Sequence, residues 1–326
     1  MLALQRFFTD KNPDFTNKRT HLSDCSAHNS QTYTRRTPMF NITCESTVDL
    51  PQEYLKSRGC NAIHYSYFVN DTEHVDTMKN TTKSLEEFYK AIDEYRPTTS
   101  QISTERYEEF FRQNLCDGDI LHIAFGDGMS QSVFNATKAA DKINAENGNK
   151  VFVVNSTCSC VGYGMLTDIA LDLRDNGKTL QQIVDFLEQN KTKIHHQFFS
   201  TTLSYFRKSG RVSGPAALIG NLLKLCPIMR LNKQGKIIAY GKAMSVSGAI
   251  TKTESETLAH IKNGKNYDGK LWISHSACLD TAIKVKKRMQ STYPKADVRV
   301  FDIGPIIACH CGPGTVAVYF EGDERP

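Results

Sequence analysis

The chain has 326 residues, of which 40% are hydrophobic, 23% charged and 10% aromatic. Single hydrophobic cores stop growing at roughly 250–300 residues, so this length favours two domains, and the apolar content is too high for a disordered protein. There is no run of about 18 consecutive apolar residues, which excludes a transmembrane helix, and a net charge of +5 is too mild to argue for a nucleic-acid partner.

The charge is unevenly placed. Residues 1–38 carry six basic side chains (Arg6, Lys11, Lys18, Arg19, Arg35 and Arg36) against three acidic ones (Asp10, Asp14 and Asp24). That is +3 of the total, leaving +2 for residues 39–326. This opening segment is rich in Thr, Asn, Ser and Gln, has no amphipathic period, and lacks the apolar stretch of a secretory signal. It reads as a disordered extension of residues 1–38, with transient contact to a membrane surface as the other reading. The ten cysteines are irregularly spaced in a large chain, a pattern that fits reduced thiols and a cytoplasmic location.

From Met39 strand-length apolar runs alternate with helical patterns. Phe40–Cys44 is expected as a first strand. A helix follows, with Pro51 in its first turn and Gly59 at its C-terminal cap. Ala62–Val69 reads as a second strand, and Ser84-Leu-Glu-Glu87 has capping-box spacing for a helix reaching about Tyr95. A loop dense in hydroxyls, Pro97–Ser103, precedes a helix through Phe110 and Phe111. Asp119–Phe125 is a buried-type strand, and Gly126–Ser132 is a loop entering a helix with Val133, Ala136, Ala140 and Ile143 on one face. Lys150–Asn155 is a strand, Ser156–Gly164 a loop, Met165–Leu173 a helix, and Thr179-x-x-Gln182 the cap of another. This alternation argues for βαβ units and a parallel sheet flanked by helices.

The second half is patterned differently. Ile194–Ser200, Pro227–Leu231 and Lys236–Met244 read as strands, with an apolar helical stretch from Ala216 to Leu225 between the first two. A polar helix over 253–262, a strand at Leu271–Ser276, a helix at Thr281–Gln290 and strands at Val298–Ile303 and Val316–Phe320 follow. The short reversal at 231–236 favours antiparallel pairing, hence a mixed sheet with helices. The expectation is therefore an α/β protein of two α/β domains, 39–195 and 196–326.

Three polar loops, at 45–47, 98–103 and 126–132, follow strands or open helices and can converge at one sheet edge. Ser46/Thr47, Thr98/Thr99/Ser100 and Ser130/Ser132 would add hydroxyl donors to the free N–H groups of helix N-termini, which suits an oxyanion. Each hydroxyl also reads as the cap of its own helix. Gly126-Asp-Gly128 lacks the third glycine of a dinucleotide fingerprint, and there is no P-loop. His275 and His310 are candidates as anion donors or as bases, and equally as hydrogen-bonded core residues. Cys309 and Cys311, like Cys158 and Cys160, are spaced more tightly than structural zinc ligands, so no metal is assigned. No nucleophile elbow or paired-carboxylate site is evident, which points toward holding a ligand rather than transforming it.

Five segments, in order, resemble the DegV family of bacterial fatty-acid-binding proteins over residues 39–326. Cys44-Glu-Ser-Thr-Val-Asp-Leu-Pro51 is similar to D-S-T-x-D-L-P, and Thr99-Ser-Gln-Ile-Ser103 to T-S-Q-P-S. Gly128-Met-Ser-Gln-Ser132 is similar to the L-S-G-T loop, with Gln131 in place of Gly. Ser209-Gly-Arg-Val-Ser213 resembles G-G-R-I-S, and Gly304–Gly314 resembles G-P-V-I-x-x-H-x-G-P-G. The family usually starts where Met39 stands, so residues 1–38 are expected to be dispensable for the fold, as a tail or as a reading upstream of a true start at Met39.

The resemblance implies a DegV-like fold that binds a long-chain fatty acid in a tunnel between two α/β domains, with no other cofactor. It further implies a non-catalytic protein that presents the acid to a fatty acid kinase catalytic subunit, which makes the acyl phosphate. Carried over by motif, Thr99 and Ser100 are head-group donors, with Ser130, Ser46, Thr47 and His275 as further carboxylate ligands. Arg211 is the candidate contact to head group or partner. Leu218, Ile219, Leu222, Leu223, Ile228 and Met229 are suitable tunnel lining, and equally suitable ordinary core. The alternative is an acyl hydrolase or transferase using Cys309 or His310.

Overall fold

The computed structural model describes residues 40–115, 118–146, 148, 150–213 and 225–326. β1 (Phe40–Glu45), β2 (Cys60–Ile63), β6 (Asp119–Ala124) and β7 (Val151–Asn155) form a four-stranded, wholly parallel sheet in the order β2-β1-β6-β7. β1 and β6 are almost continuously buried, as strands covered on both faces must be. The crossover from β1 to β2 is α1 (Gln52–Ser57), and that from β6 to β7 is α4 (Ser132–Glu146). α4 buries Val133, Ala136, Ala139, Ala140 and Ile143, the one-sided spacing visible in the sequence.

A small antiparallel sheet, β4-β3-β5, interrupts the alternation. It consists of β3 (Ser66–Val69), β4 (Thr72–Val75) and β5 (Thr98–Thr99). The expected strand Ala62–Val69 is therefore two strands in two sheets, a division a continuous apolar run does not reveal. Asn70 and Asp71 turn the β3–β4 hairpin with φ of 49° and 57°, the left-handed pair a two-residue turn of this hand requires. α2 (Thr82–Glu94) begins earlier than expected, because Thr81 and Ser84 form the capping box rather than Ser84 and Glu87. α3 (Thr104–Asn114) is capped by Ser103, whose Oγ accepts from the Arg106 N–H.

α5 (Cys160–Asp175) begins five residues before the expected Met165. Its first turns contain Gly162 and Gly164, which allow close approach to His196 and Tyr319 and to Val48 and Leu50. α6 (Leu180–Asn190) carries the expected capping box between Thr179 and Gln182.

The second sheet has seven strands in the order β13-β12-β14-β8-β10-β11-β9. They are β8 (Ile194–Ser200), β9 (Val212–Ser213), β10 (Cys226–Leu231), β11 (Ile237–Ala243), β12 (Lys270–His275), β13 (Asp297–Asp302) and β14 (Thr315–Glu321). β12–β13 and β11–β9 are parallel and the other pairs antiparallel, so the sheet is mixed, as expected. Four helices belong to this half among the described residues: α7 (Ser204–Ser209), α8 (Val246–His260), α9 (Leu279–Thr292) and α10 (Pro305–Cys311). α8 is capped by Ser245 and starts at Val246, seven residues before the expected Thr253. α7 and α10 were not expected, since each is under two turns of α-helix.

One apolar core joins the two large sheets. It contains Ile42, Cys44, Leu121 and Ile123 from the parallel sheet, Phe198, Met229, Trp272 and Tyr319 from the mixed sheet, and Tyr163, Met165 and Leu166 of α5. A second cluster lies under α8 and α9, and a third under α3 and α4. No helix among the described residues is long and apolar enough to cross a membrane.

Candidate functional site

The three hydroxyl-bearing loops border one cavity of about 490 Å³. Thr47 reaches it from the 3-10 turn after β1, Thr99 and Ser100 from the end of β5, and Ser130 from the loop entering α4. The loops are tied together by backbone-directed bonds. The Ile102 N–H donates to Ser132 Oγ at 3.2 Å, and Asn135 Nδ2 donates to the Ile102 carbonyl at 2.8 Å. The Ser100 N–H donates to the Ser66 carbonyl at 3.2 Å. A second depression, about 590 Å³, lies along β2 between α1 and α3 and gathers none of these loops.

The lining of the cavity is both polar and apolar. Phe206, Val212, Ile237, Ile306 and Ile307 supply hydrocarbon, and Tyr65 and Phe125 add an edge-to-face aromatic pair at 6.5 Å. The exposed cations Arg211 and Lys236 border it, against one carboxylate, Asp127. The loop that starts α4 and the Ser159 N-cap of α5 also line it, so two helix N-termini direct partial positive charge toward the same space. Such a pocket suits an anion with an apolar body.

Two buried polar atoms at this cavity have no partner: Thr47 Oγ1 and His310 Nδ1. Buried polar groups are nearly always satisfied, so two unpartnered atoms on lining residues of one cavity stand out. His310 sits in the last turn of α10 and its Nε2 lies 2.9 Å from Thr99 Oγ1. Burial, assisted by the Arg211 cation, lowers the His310 pKa to about 4, so the imidazole is neutral at neutral pH. A neutral imidazole with one nitrogen toward Thr99 has the other free to donate or accept.

Beneath the cavity, Glu45 is fully buried and collects three donors. Tyr107 donates at 2.6 Å, Tyr65 at 3.2 Å and the Phe125 N–H at 3.1 Å, so this carboxylate holds Tyr65 and Phe125 in place from behind. On the far side, Gly128 has no room for a Cβ, because it would strike the Gly235 carbonyl of the β10–β11 turn. That turn presses in the same way on Thr157, a β-branched residue at φ 52°. Arg325 holds Thr157 there by donating to its carbonyl at 3.0 Å and its hydroxyl at 2.6 Å.

The sequence candidates separate clearly. Thr47, Thr99, Ser100, Ser130 and Arg211 line the cavity. Ser46 does not; its Oγ accepts from the Tyr65 N–H at 3.2 Å. Ser130 Oγ also accepts from the Ser132 N–H at 3.3 Å, so the capping reading applies to it as well. His275 lies at the end of β12, outside the lining, with Nε2 3.5 Å from Asp302 and its pKa lowered by burial. Ile228 and Met229 are buried in sheet cores and are not among the lining residues. Leu218, Ile219, Leu222 and Leu223 lie outside the described residues. Cys309 is buried and does not line the cavity, and its neighbour Cys311 does.

His310, a candidate anion donor or base from the sequence, lines the cavity, and so do Lys236 and Gln101, to which the sequence assigns no role. The signal for His310 was present. Pro at the start of Pro305–Cys311 reads as a first helical turn, which places Ile306, Ile307 and His310 on one face at i, i+3 and i+4 spacing.

Residues 39–323 match a family model described as uncharacterised protein, DegV family. A DegV domain-containing protein of Clostridium perfringens is 27% identical over 288 residues, covering 88% of this chain and 98% of that one. Among solved structures, a fatty-acid-binding DegV family protein from Thermus thermophilus has a TM-score of 0.78 at 24% identity, covering 87% and 99% of the two chains. The Streptococcus pneumoniae fatty acid kinase B3 protein, loaded with linoleic acid, has a TM-score of 0.74 at 16% identity, covering 87% and 100%. These two likenesses establish the shared α/β architecture, and the match across residues 39–323 places the chain in the DegV family.

Proposed function

We propose that this protein binds a long-chain fatty acid in the cavity bordered by Thr47, Thr99, Ser100 and Ser130, and presents its carboxylate to a fatty acid kinase catalytic subunit. The observation that carries the reading is a single cavity whose lining combines Thr47 and His310, each with a buried unpartnered polar atom, with the hydroxyls of Thr99, Ser100 and Ser130 and the hydrocarbon of Phe206, Ile237, Ile306 and Ile307. A carboxylate there would meet hydroxyl donors, an imidazole and two helix N-termini, and each hydrogen bond to the charged group is worth about 1.5–3 kcal/mol. The acyl chain would contribute about 0.8 kcal/mol per buried CH₂. Related proteins named for bound fatty acids, and one named as a kinase B subunit, support the same ligand class.

The exposed Arg211 at the cavity border is suited to the head group or to the kinase. Ser46 and His275 are outside the cavity lining and are not assigned to the head group. A non-catalytic role is supported by the state of the thiols. Burial holds Cys309 far above the usual thiol range and pushes Cys311 up to about 12, so neither is a ready nucleophile.

Native mass spectrometry of the purified full chain tests the proposal. A co-purifying long-chain acid, released on denaturation and replaced by added labelled acid, is the expected result. A protein that is free of lipid and takes up no labelled acid overturns it.

A further inference from the structure

We propose that His195, His260 and Asp323 form a binding site for one divalent transition-metal ion of the zinc class, separate from the fatty-acid cavity. None of the three residues lines that cavity. They come from three elements: His195 is the second residue of β8, His260 the last of α8, and Asp323 the second residue after β14. The backbone brings them together. The Gly322 N–H donates to the Lys193 carbonyl at 2.9 Å, the Asp323 N–H to the His260 carbonyl at 3.1 Å, and the Lys262 N–H to the Glu321 carbonyl at 3.1 Å.

The ligand atoms are already close to coordination spacing. His195 Nε2 is 3.1 Å from Asp323 Oδ1, and His260 Nδ1 is 3.0 Å from Oδ1 and 3.2 Å from Oδ2. One ligand atom from each residue lies within 4.8 Å of the other two. Tetrahedral zinc with bonds of about 2.0–2.2 Å separates its ligands by roughly 3.3 Å, so an ion could enter with small side-chain movements. The rings are held in advance. His195 stacks on Phe320 at 4.9 Å and on His260 at 5.1 Å, and a Cβ at Gly322 would press on the His195 ring.

The chemistry of the set favours one ion class. Two imidazoles and a carboxylate suit zinc and its neighbours rather than calcium or magnesium, which prefer oxygen. Side-chain exposure rises from 2% at His195 through 22% at His260 to 60% at Asp323, so the group has a rigid base and a mouth open to solvent. Three protein ligands would leave the fourth position to water. The competing arrangement is an ion-free staple, in which His195 Nε2–H donates to the Asp323 main-chain carbonyl 2.9 Å away.

The test uses the full chain, stripped with a chelator and kept reduced, in equilibrium dialysis against zinc and in a cobalt(II) titration read by visible absorption. His260→Ala and Asp323→Ala change partly exposed side chains, and circular dichroism checks that both fold. His195 is left intact because it packs in the core. A Cys309→Ser/Cys311→Ser variant checks for thiolate binding. The expected result is one equivalent of zinc, a cobalt spectrum without thiolate charge transfer, and affinity weakened roughly tenfold or more in each ligand variant but not in the cysteine variant. Absence of saturable binding overturns the proposal. So does binding unaffected by His260→Ala and Asp323→Ala, or lost only with the cysteines.

Discussion

Thr99 Oγ1 lies 2.9 Å from His310 Nε2, although 211 positions separate the two residues in the chain. Thr99 ends a strand of the small antiparallel sheet, and His310 occupies the last turn of a helix between strands of the mixed sheet. Both residues line the cavity. The contact leaves His310 Nδ1 buried without a partner, as Thr47 Oγ1 is.

The hydroxyls of the lining are expected to carry ligand affinity individually. Ser100→Ala and Thr47→Val should each weaken binding of a labelled long-chain acid by about 1.5–3 kcal/mol, the range for a hydrogen bond to a charged group. Titration calorimetry with one acid and both variants measures this. Unchanged affinity for a variant removes that hydroxyl from the head-group site.

His310 makes stability depend on pH with a definite sign. Its folded pKa is lowered to about 4, against 6.5 for an ordinary histidine, chiefly by burial and then by Arg211. Between those values the unfolded chain binds a proton that the folded chain does not. This contribution is therefore complete above pH 6.5 and is lost as pH falls toward 4, by up to about 3 kcal/mol. Urea midpoints at about pH 7 and about pH 5 should differ less for His310→Gln than for the unaltered chain. An equal difference in both proteins would falsify the assignment.

Arg325 restrains Thr157 in a left-handed conformation that a β-branched residue resists. Arg325→Ala should cost about 2–4 kcal/mol, combining two charge-assisted hydrogen bonds with the freed strain. Thr157→Gly relieves the strain itself, so the loss on adding Arg325→Ala should be smaller in that background. A double-mutant cycle in urea is the measurement, and strictly additive losses would show that the two residues are uncoupled.

Gly128 joins the loop before α4 to the β10–β11 turn at a contact with no space for a methyl group. Gly128→Ala should destabilise the fold by about 1–3 kcal/mol and weaken acid binding as well, because the same loop carries Ser130. Thermal unfolding and a binding titration on one preparation test the two effects together. A loss of stability with intact binding would show that the Ser130 loop is positioned independently of this contact.

The pattern of the chain by itself determined a great deal. The alternation from Phe40 to Leu187, the buried runs at Asp119–Ala124 and Val151–Asn155, and the reversal at Asn232–Lys236 follow from burial and hydrogen bonding that act locally. Five ordered motifs also named the family and selected Thr47, Thr99, Ser100, Ser130 and Arg211, all of which border one cavity. Where local signals competed, they were ambiguous. Ala62–Val69 is one apolar run in sequence but two strands in two sheets, and Thr81 rather than Ser84 caps α2.

Only the tertiary structure decided which of these residues face one another. A hydroxyl in a loop reads the same whether it caps a helix or opens on a cavity. Ser46 Oγ accepts from the Tyr65 N–H, while Thr47, the next residue, belongs to the cavity lining and its buried Oγ1 has no partner. His275 and His310 are both candidates in the sequence, yet only His310, on the short helix α10, reaches Thr99. Likewise His195, His260 and Asp323 share no motif, and pairing of β8 with β14 and docking of the α8 end onto Asp323 bring them together. Periodicity reports the backbone of each element and which face it buries. Contacts between residues far apart in sequence depend on how the sheets and helices pack, which no local pattern encodes.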